Sequence, residues 1–248
     1  MIDVHQHLNY LGRSNLDLIQ HQKDMGVELT ILLPSAGLKV DNGLCVGVTD
    51  TEAAFQFSQL WSEFLFAANS PVTELNVLVD YIEKGAKLIG EIKYDMPGDS
   101  PELWAYAEIA QQYKIPILIH FENQYGVHLD EFETTLKRFP DVNFIGHAVQ
   151  FWAELEGMTE YLMSSYDNLY GDVSAGSGFY ALNSDCAFEF VKKHQDRLLF
   201  GSDCPDIPAG NFCQGCCTSD KVKSLVDKSI QEKIFYKNAK KLLSLGEK

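Results

Sequence analysis

Two imidazoles one residue apart stand at the head of the chain. In "MIDVHQHLNY", His5 and His7 follow a short apolar start. Successive strand side chains point to opposite faces, which puts Asp3, His5 and His7 on one face. Such a pair reads in two ways, as polar surface histidines or as two ligands reaching one metal ion from the end of a strand. Further donor types recur at the ends of apolar runs: Glu91 in "GEIKYD", His120 in "ILIH", His147 in "FIGH" and Asp203 in "LFGSD". Singly, a His or Asp so placed caps the following turn, and Glu91 is a salt-bridge partner for Lys93. Taken together, these nitrogen and oxygen donors, with no cysteine among them, suit zinc or another divalent first-row metal. Buried without a metal, such a set is costly to desolvate.

Only a particular kind of fold brings residues so far apart in sequence to one place. Short apolar runs alternate with amphipathic segments along the whole chain. The runs are the opening strand, "VELTILLP", "EFLFAANS", "AKLIGEIKYD", "IPILIHFE", "VNFIGHA", "NLYGDVSA" and "RLLFGSD". Between them lie helical patterns such as "LDLIQHQKDMG", "DTEAAFQFSQLW", "VTELNVLVDYIEKG" and "PELWAYAEIAQQYK", the last with Pro101 in its first turn. The segment "FWAELEGMTEYLMSS" reads as another such pattern, and "DKVKSLVDK" and "QEKIFYKNAKKLLSL" close the chain. Strands alternating with helices imply a parallel sheet. Eight such units in 248 residues predict an α/β fold, a (β/α)8 TIM barrel formed by residues 1–248 as one domain. An open doubly wound sheet would carry a Gly-rich phosphate loop after its first strand, and none is present. Catalytic side chains of such barrels come from the C-terminal ends of the strands, where the donors above fall. Asp3 shares their face but lies deeper, where a structural hydrogen bond is its expected role.

The formal net charge is −15, from 20 Lys and Arg against 35 Asp and Glu. That balance argues against a nucleic-acid partner, which asks for a basic face, and no Lys/Arg cluster supplies one. Hydrophobic residues at 46% and charged residues at 22% are ordinary for a folded enzyme. No secretory signal and no membrane-length apolar run are visible, so the expected compartment is the cytoplasm, without membrane association. Self-association as a homo-oligomer is left open.

Six cysteines do not make a disulfide scaffold at this length. Cys204, Cys213, Cys216 and Cys217 cluster in "CPDIPAGNFCQGCC", but Cys-x-x-Cys without a matching second pair reads as reduced thiols in a loop rather than a zinc site. Replacing Cys213, Cys216 and Cys217 with Ser is expected to leave metal content unchanged. His21, His128 and His194 read as surface or packing residues. Tyr125, Phe151, Trp152, Phe179 and Tyr180, near strand ends, read either as an apolar substrate pocket or as core. Segments "YGVHL", "SAGSGFYAL" and the stretch from Cys204 to Cys217 read as substrate loops.

The ordered motifs "DVHQH", "GEIKYD", "ILIHFE", "FIGHA" and "LLFGSDCP" resemble the amidohydrolase superfamily of metal-dependent TIM-barrel hydrolases, and most of all its amidohydrolase-related branch. The closing "KIFYKNAKKLLSL" resembles that branch's terminal helix. The resemblance implies His5, His7, His120, His147 and Asp203 as metal ligands. It places Glu91 where members carry a bridging carboxylate or a carboxylated lysine. Lys93 stands two residues on, so the count of one or two divalent ions, zinc first among them, stays open; a bridging Glu91 with Lys93 left cationic is the expectation.

The chemistry so implied is hydrolysis of an amide, ester or lactone bond of a small-molecule substrate by metal-activated water. Asp203 would move the proton, His147 would polarise the carbonyl if it is not a ligand, and Lys93 would hold a substrate carboxylate. Decarboxylation, known in the same branch, uses the same ligands and is the alternative. A non-catalytic barrel with a binding role would show a broken ligand set, and the set is intact.

Overall fold

The computed structural model describes residues 1–35, 48–153, 155–205 and 213–246. In chain order the first half runs β1 (Ile2–Gln6), α1 (Asn15–Asp24), β2 (Leu29–Leu32), α2 (Thr51–Leu60), β3 (Phe64–Phe66), α3 (Leu75–Glu83), β4 (Ile89–Ile92) and α4 (Pro101–Tyr113). The second half runs β5 (Ile117–His120), α5 (Phe132–Arg138), β6 (Phe144–His147), α6 (Val149–Trp152), α7 (Met158–Ser165), β7 (Leu169–Asp172), α8 (Ala175–Ala181), α9 (Ala187–His194) and β8 (Leu198–Leu199). It closes with α10 (Gln214–Leu225), α11 (Lys228–Glu232), a π-turn over Lys233–Lys237 and α12 (Asn238–Leu242). Helices start where a side chain satisfies the first N–H groups. Ser14 accepts from Asp17 N, Asp50 from Ala53 N, and Ser100 from Leu103 N just before Pro101.

All strand pairs are parallel, ordered β1-β2-β3 and β4-β5-β6-β7-β8. Backbone hydrogen bonds join the two sheets at both seams. Ala68 N donates to Leu88 O and Gly90 N to Ala68 O between β3 and β4. Val4 N donates to Phe200 O and Asp203 N to His5 O between β8 and β1. The strands therefore make a closed ring, the TIM barrel expected from the alternation. Val4, Ile31, Ala67, Leu88, Leu118, Ile145 and Leu199 form its inner core, to which Ala239 of α12 and Leu243 just after it are added. A larger cluster packs the helices onto the outside. No helix among the described residues is long and apolar enough to cross a membrane.

Strict alternation fails on two strands, and both carry donors. On β1, Asp3 pairs with Thr30 but Gln6 with Leu32, so β1 spends an extra residue; β4 does the same between Ile89 and Ile92. An extra residue turns the side chains after it to the other face. His5 consequently follows Val4 inward, while Asp3 faces α1, where Gln22 Nε2 donates to it at 2.9 Å. Asp3 has the structural role expected, accepting also from Ser202 N and Oγ, but on the opposite face from His5. Gly90 is required at the second shift: its φ is +136°, and a Cβ would stand 2.5 Å from Leu118 O.

Other differences are local. The pattern "FWAELEGMTEYLMSS" divides into α6 and α7, "SAGSGFYAL" is mostly helix α8 rather than loop, and α10 begins at Gln214, so Cys216 and Cys217 lie in its first turn. Residues 206–212 of the cysteine-rich stretch lie outside the described residues.

Candidate metal centre

Each histidine at the barrel mouth is oriented from behind. His7 Nδ1 donates to the Leu33 carbonyl at 2.7 Å. A carbonyl only accepts, so the proton sits on Nδ1 and Nε2 of a neutral His7 presents its lone pair. His5 Nδ1 donates to Asp172 Oδ2 at 2.6 Å. His147 Nδ1 donates to Ser174 Oγ at 2.7 Å, and that hydroxyl donates to Asp172 Oδ2 at 2.8 Å. One buried carboxylate thus orients two imidazoles, one directly and one through a hydroxyl. Trp152 Nε1 in turn holds the Asp172 carbonyl at 2.9 Å.

The Nε2 atoms so aimed converge. Those of His5 and His7 are 3.2 Å apart, and His7 Nε2 is 3.2 Å from Asp203 Oδ1. Asp203 Oδ1 lies 3.7 Å from His5 Nε2, and Asp203 Oδ2 lies 3.6 Å from His147 Nε2. Glu91 Oε2 stands 3.8 Å from His5 Nε2 and 3.7 Å from His7 Nε2, with Oε1 3.8 Å from His147 Nε2. Lone pairs facing one another at these distances repel unless an electrophile lies between them. A proton is the simplest one: burial opposes charge on His5, but Asp203, Asp172 and Glu91 outweigh it and push the ring up to about 9. A divalent cation serves better, because it satisfies several nitrogen and oxygen donors at once. The donors fit such an ion. They form two overlapping sets, His5–His7–Asp203 and His5–Glu91–His147, within each of which the ligand atoms lie within 4.8 Å of one another.

The electrostatics agree. Burial raises the carboxyl of Asp203, but the charge of His5 and the hydrogen bond from His7 more than offset it and hold the group below its ordinary range. Burial also raises Glu91, against which Lys93 and His120 hold it well down. Burial and the neighbouring His5 push His147 well below the usual imidazole value, so it stays neutral.

His120 is held between two carboxylates. Its Nδ1 donates to Glu91 Oε1 at 2.6 Å and its Nε2 to Glu122 Oε2 at 2.7 Å. Two carboxylate acceptors ask for a proton on both nitrogens. Burial opposes this, but Glu91 and Glu122 raise the ring above its ordinary value. Both nitrogens of His120 are engaged by carboxylates, and His120 belongs to neither of the two converging sets. Lys93, just past the end of β4, is near enough for its charge to act on Glu91, His120 and Glu122.

Sequence reading missed Asp172 and Ser174, although Asp172 ends β7 in "LYGD" just as the recognised donors end their strands. It missed Glu122 too, two residues past His120. The rest is mixed. His128 pairs with Asp95 at the surface and His194 packs on Phe190, as expected. Phe151 and Trp152 are core. Tyr180 is exposed and borders a recess of about 840 Å³ with Val149, Leu155 and Ala181; none of the donors lines it.

Residues 84–245, from before β4 to after α12, match a family model described as Amidohydrolase. The chain belongs to the amidohydrolase family. The matched part of this amidohydrolase holds Glu91, His120, His147, Asp172 and Asp203, while His5 and His7 precede it. No curated protein matches the chain in sequence. Among solved structures, an uncharacterized TIM-barrel protein from Bordetella bronchiseptica is similar with a TM-score of 0.75 at 16% identity, covering 98% of each chain. A probable 2-pyrone-4,6-dicarboxylic acid hydrolase from Acinetobacter baumannii has a TM-score of 0.69 at 16% identity, covering 98% of this chain and 99% of that one. A 2,6-dihydroxybenzoate decarboxylase from Rhizobium has a TM-score of 0.67 at 13% identity, covering 98% of each. Hydrolase and decarboxylase thus share this amidohydrolase's fold.

Proposed function

We propose that this chain is a metal-dependent hydrolase cleaving an amide, ester or lactone bond of a small molecule. The observation that supports it best is the convergence of three imidazole Nε2 atoms and Asp203, each ring committed by its Nδ1 to a fixed acceptor. His5, His7, Glu91, His147 and Asp203 would hold one divalent ion, with zinc the first candidate. A second ion needs both oxygens of Glu91 as a bridge, but Oε1 is engaged by His120. This favours one ion and leaves Lys93 a cation with no bridging part.

When bound, such an ion acidifies water and polarises a carbonyl. The chain's own groups do the rest. Asp203 is the most open of the donors, with 14% of its side chain exposed, and is placed to take a proton from the attacking water and deliver it to the leaving group. His120 and Lys93 set positive charge beside the donors, suited to a substrate carboxylate. That same charge favours a second reading, decarboxylation of an aromatic acid.

The deciding experiment screens metal-reconstituted protein against lactones, esters, amides and aromatic carboxylates, following acid release and carbon dioxide separately. Acid release without carbon dioxide is expected. Carbon dioxide from a carboxylate substrate would replace hydrolysis by decarboxylation, and loaded protein inert to every class would leave a binding role.

A further inference from the structure

Gln22 on α1 is held by its amide nitrogen, which donates to Asp3 Oδ2 at 2.9 Å and to Thr30 Oγ1 at 2.8 Å. Its carbonyl oxygen therefore faces the other way, where His21 Nδ1 donates to it at 3.1 Å. This fixes the His21 proton on Nδ1 and directs Nε2 outward with its lone pair, as outer partners do for metal-ligating histidines. That nitrogen is 3.2 Å from Cys213 Sγ. Cys213 Sγ lies 3.7 Å from Cys204 Sγ, a separation of ligands rather than of a disulfide. The atoms of His21, Cys204 and Cys213 all fall within 4.8 Å of one another.

Both sulfurs accept backbone hydrogen bonds. Cys204 Sγ accepts from Gly215 N at 2.9 Å and Cys213 Sγ from Cys216 N at 3.1 Å. These donors are first-turn N–H groups of α10, at the positive end of a twelve-residue helix. Met25 adds a thioether 3.9 Å from Cys213 Sγ. Cys204 is buried, and Arg13 Nη1 holds its carbonyl at 2.8 Å.

We propose that His21, Cys204 and Cys213 form a second metal site, distinct from the barrel-mouth donors, for a thiophilic cation with a filled d shell, Zn²⁺ or Cu⁺. Thiolate donors suit both ions, whereas the nitrogen and oxygen donors at the mouth suit a divalent ion such as zinc but not Cu⁺. Binding displaces the two thiol protons and leaves His21 neutral, so a Zn²⁺ site carries no net charge. It ties α1 and the start of α10 to the residue that follows Asp203. The thiols thus gain a ligand role that the spacing Cys-x-x-Cys alone did not suggest, because the third donor comes from a helix near the other end of the chain.

Cobalt(II) titration of reduced, metal-stripped protein tests this, since a thiolate-to-cobalt charge-transfer band reports sulfur ligation and histidine–carboxylate sites give none. The band should appear in the natural chain and in His5→Ala with His7→Ala. It should be lost in Cys213→Ser, and in His21→Ala it should need at least tenfold more cobalt. His21→Ala lies on a part-exposed helix face and keeps the test valid if Cys213→Ser fails to fold. Displacement of cobalt by Zn²⁺, against displacement by Cu⁺ under anaerobic conditions, separates the two ions. A natural chain with intact circular dichroism but no thiolate band overturns the proposal. So does a band that persists in both variants, or recovery of Cys204 and Cys213 as a disulfide from reduced preparations.

Discussion

Asp172 Oδ2 accepts the His5 Nδ1 proton at 2.6 Å across 167 positions of sequence, and its other oxygen, though buried, has no hydrogen-bond partner among the described residues. Burial raises this carboxyl, with His5 and Ser174 acting the other way, so its value to the molecule lies in orienting His5 and, through Ser174, His147. Asp172→Asn should weaken metal binding by about 10–100-fold, the usual cost of losing an outer partner. Competition with a chromogenic chelator measures it, and circular dichroism should be unchanged.

Gly201 leaves the room that Asp172 occupies. A Cβ there would stand 2.3 Å from Asp172 Oδ1 and 2.7 Å from His5 Cβ, closer than real contacts allow. Gly201→Ala should therefore displace the carboxylate and lower metal affinity in the same direction as Asp172→Asn. The two changes should not add in the double variant, since they act on one pair.

Asp203→Asn keeps an oxygen donor but loses the proton acceptor. Turnover should fall about 10²–10⁴-fold, the worth of a positioned acid or base, with most of the metal retained. Elemental analysis beside single-turnover rates on the substrate found by screening checks both halves.

Metal loading should stabilise the fold. An ion that binds only the folded chain adds about 2.7 kcal/mol when present at 100 times its dissociation constant. Zinc should therefore raise the Tm of stripped protein. Most of that rise should vanish in His5→Ala with His7→Ala, and any remainder should vanish when Cys213→Ser is added.

Glu133 on α5 accepts from Tyr161 and Tyr166 at 2.7 and 2.5 Å and pairs with Lys137 at 3.0 Å. The tyrosine hydroxyls and the lysine lower its carboxyl to about 2. A carboxyl lowered on folding stabilises the native state above its unfolded value near 4.5, and that contribution disappears as pH falls toward 2. Glu133→Gln should thus be less stable than the natural chain at neutral pH, with the gap closing in acid. Denaturant melts at several pH values read this out.

Much of the barrel was legible in sequence because its cause is local. Apolar runs between capped amphipathic helices force a parallel sheet, and Ser14, Asp50, Ser100 and Pro101 mark helix starts wherever they occur. The donors were legible for the same reason, since a His, Glu or Asp ending an apolar run lands at the mouth whatever its neighbours do. Alternation misplaced Asp3 because an extra residue in β1 depends on how β2 pairs with it, which β1 does not encode alone.

Sequence by itself therefore determined the strand order, the closed α/β ring and the residue types gathered at its mouth. Only the tertiary structure decided which of them act together. Glu91 and Glu122 both came to reach His120, and Asp172 became the hub of two histidines because β7 lies between β6 and β8 near the closing seam. His21 met Cys204 and Cys213 because α1 packs beside α10. In each case the deciding quantity is a hydrogen bond or a separation of a few ångströms between residues far apart in the chain. Residue type and spacing specify the faces of elements, but such distances exist only after the elements have packed.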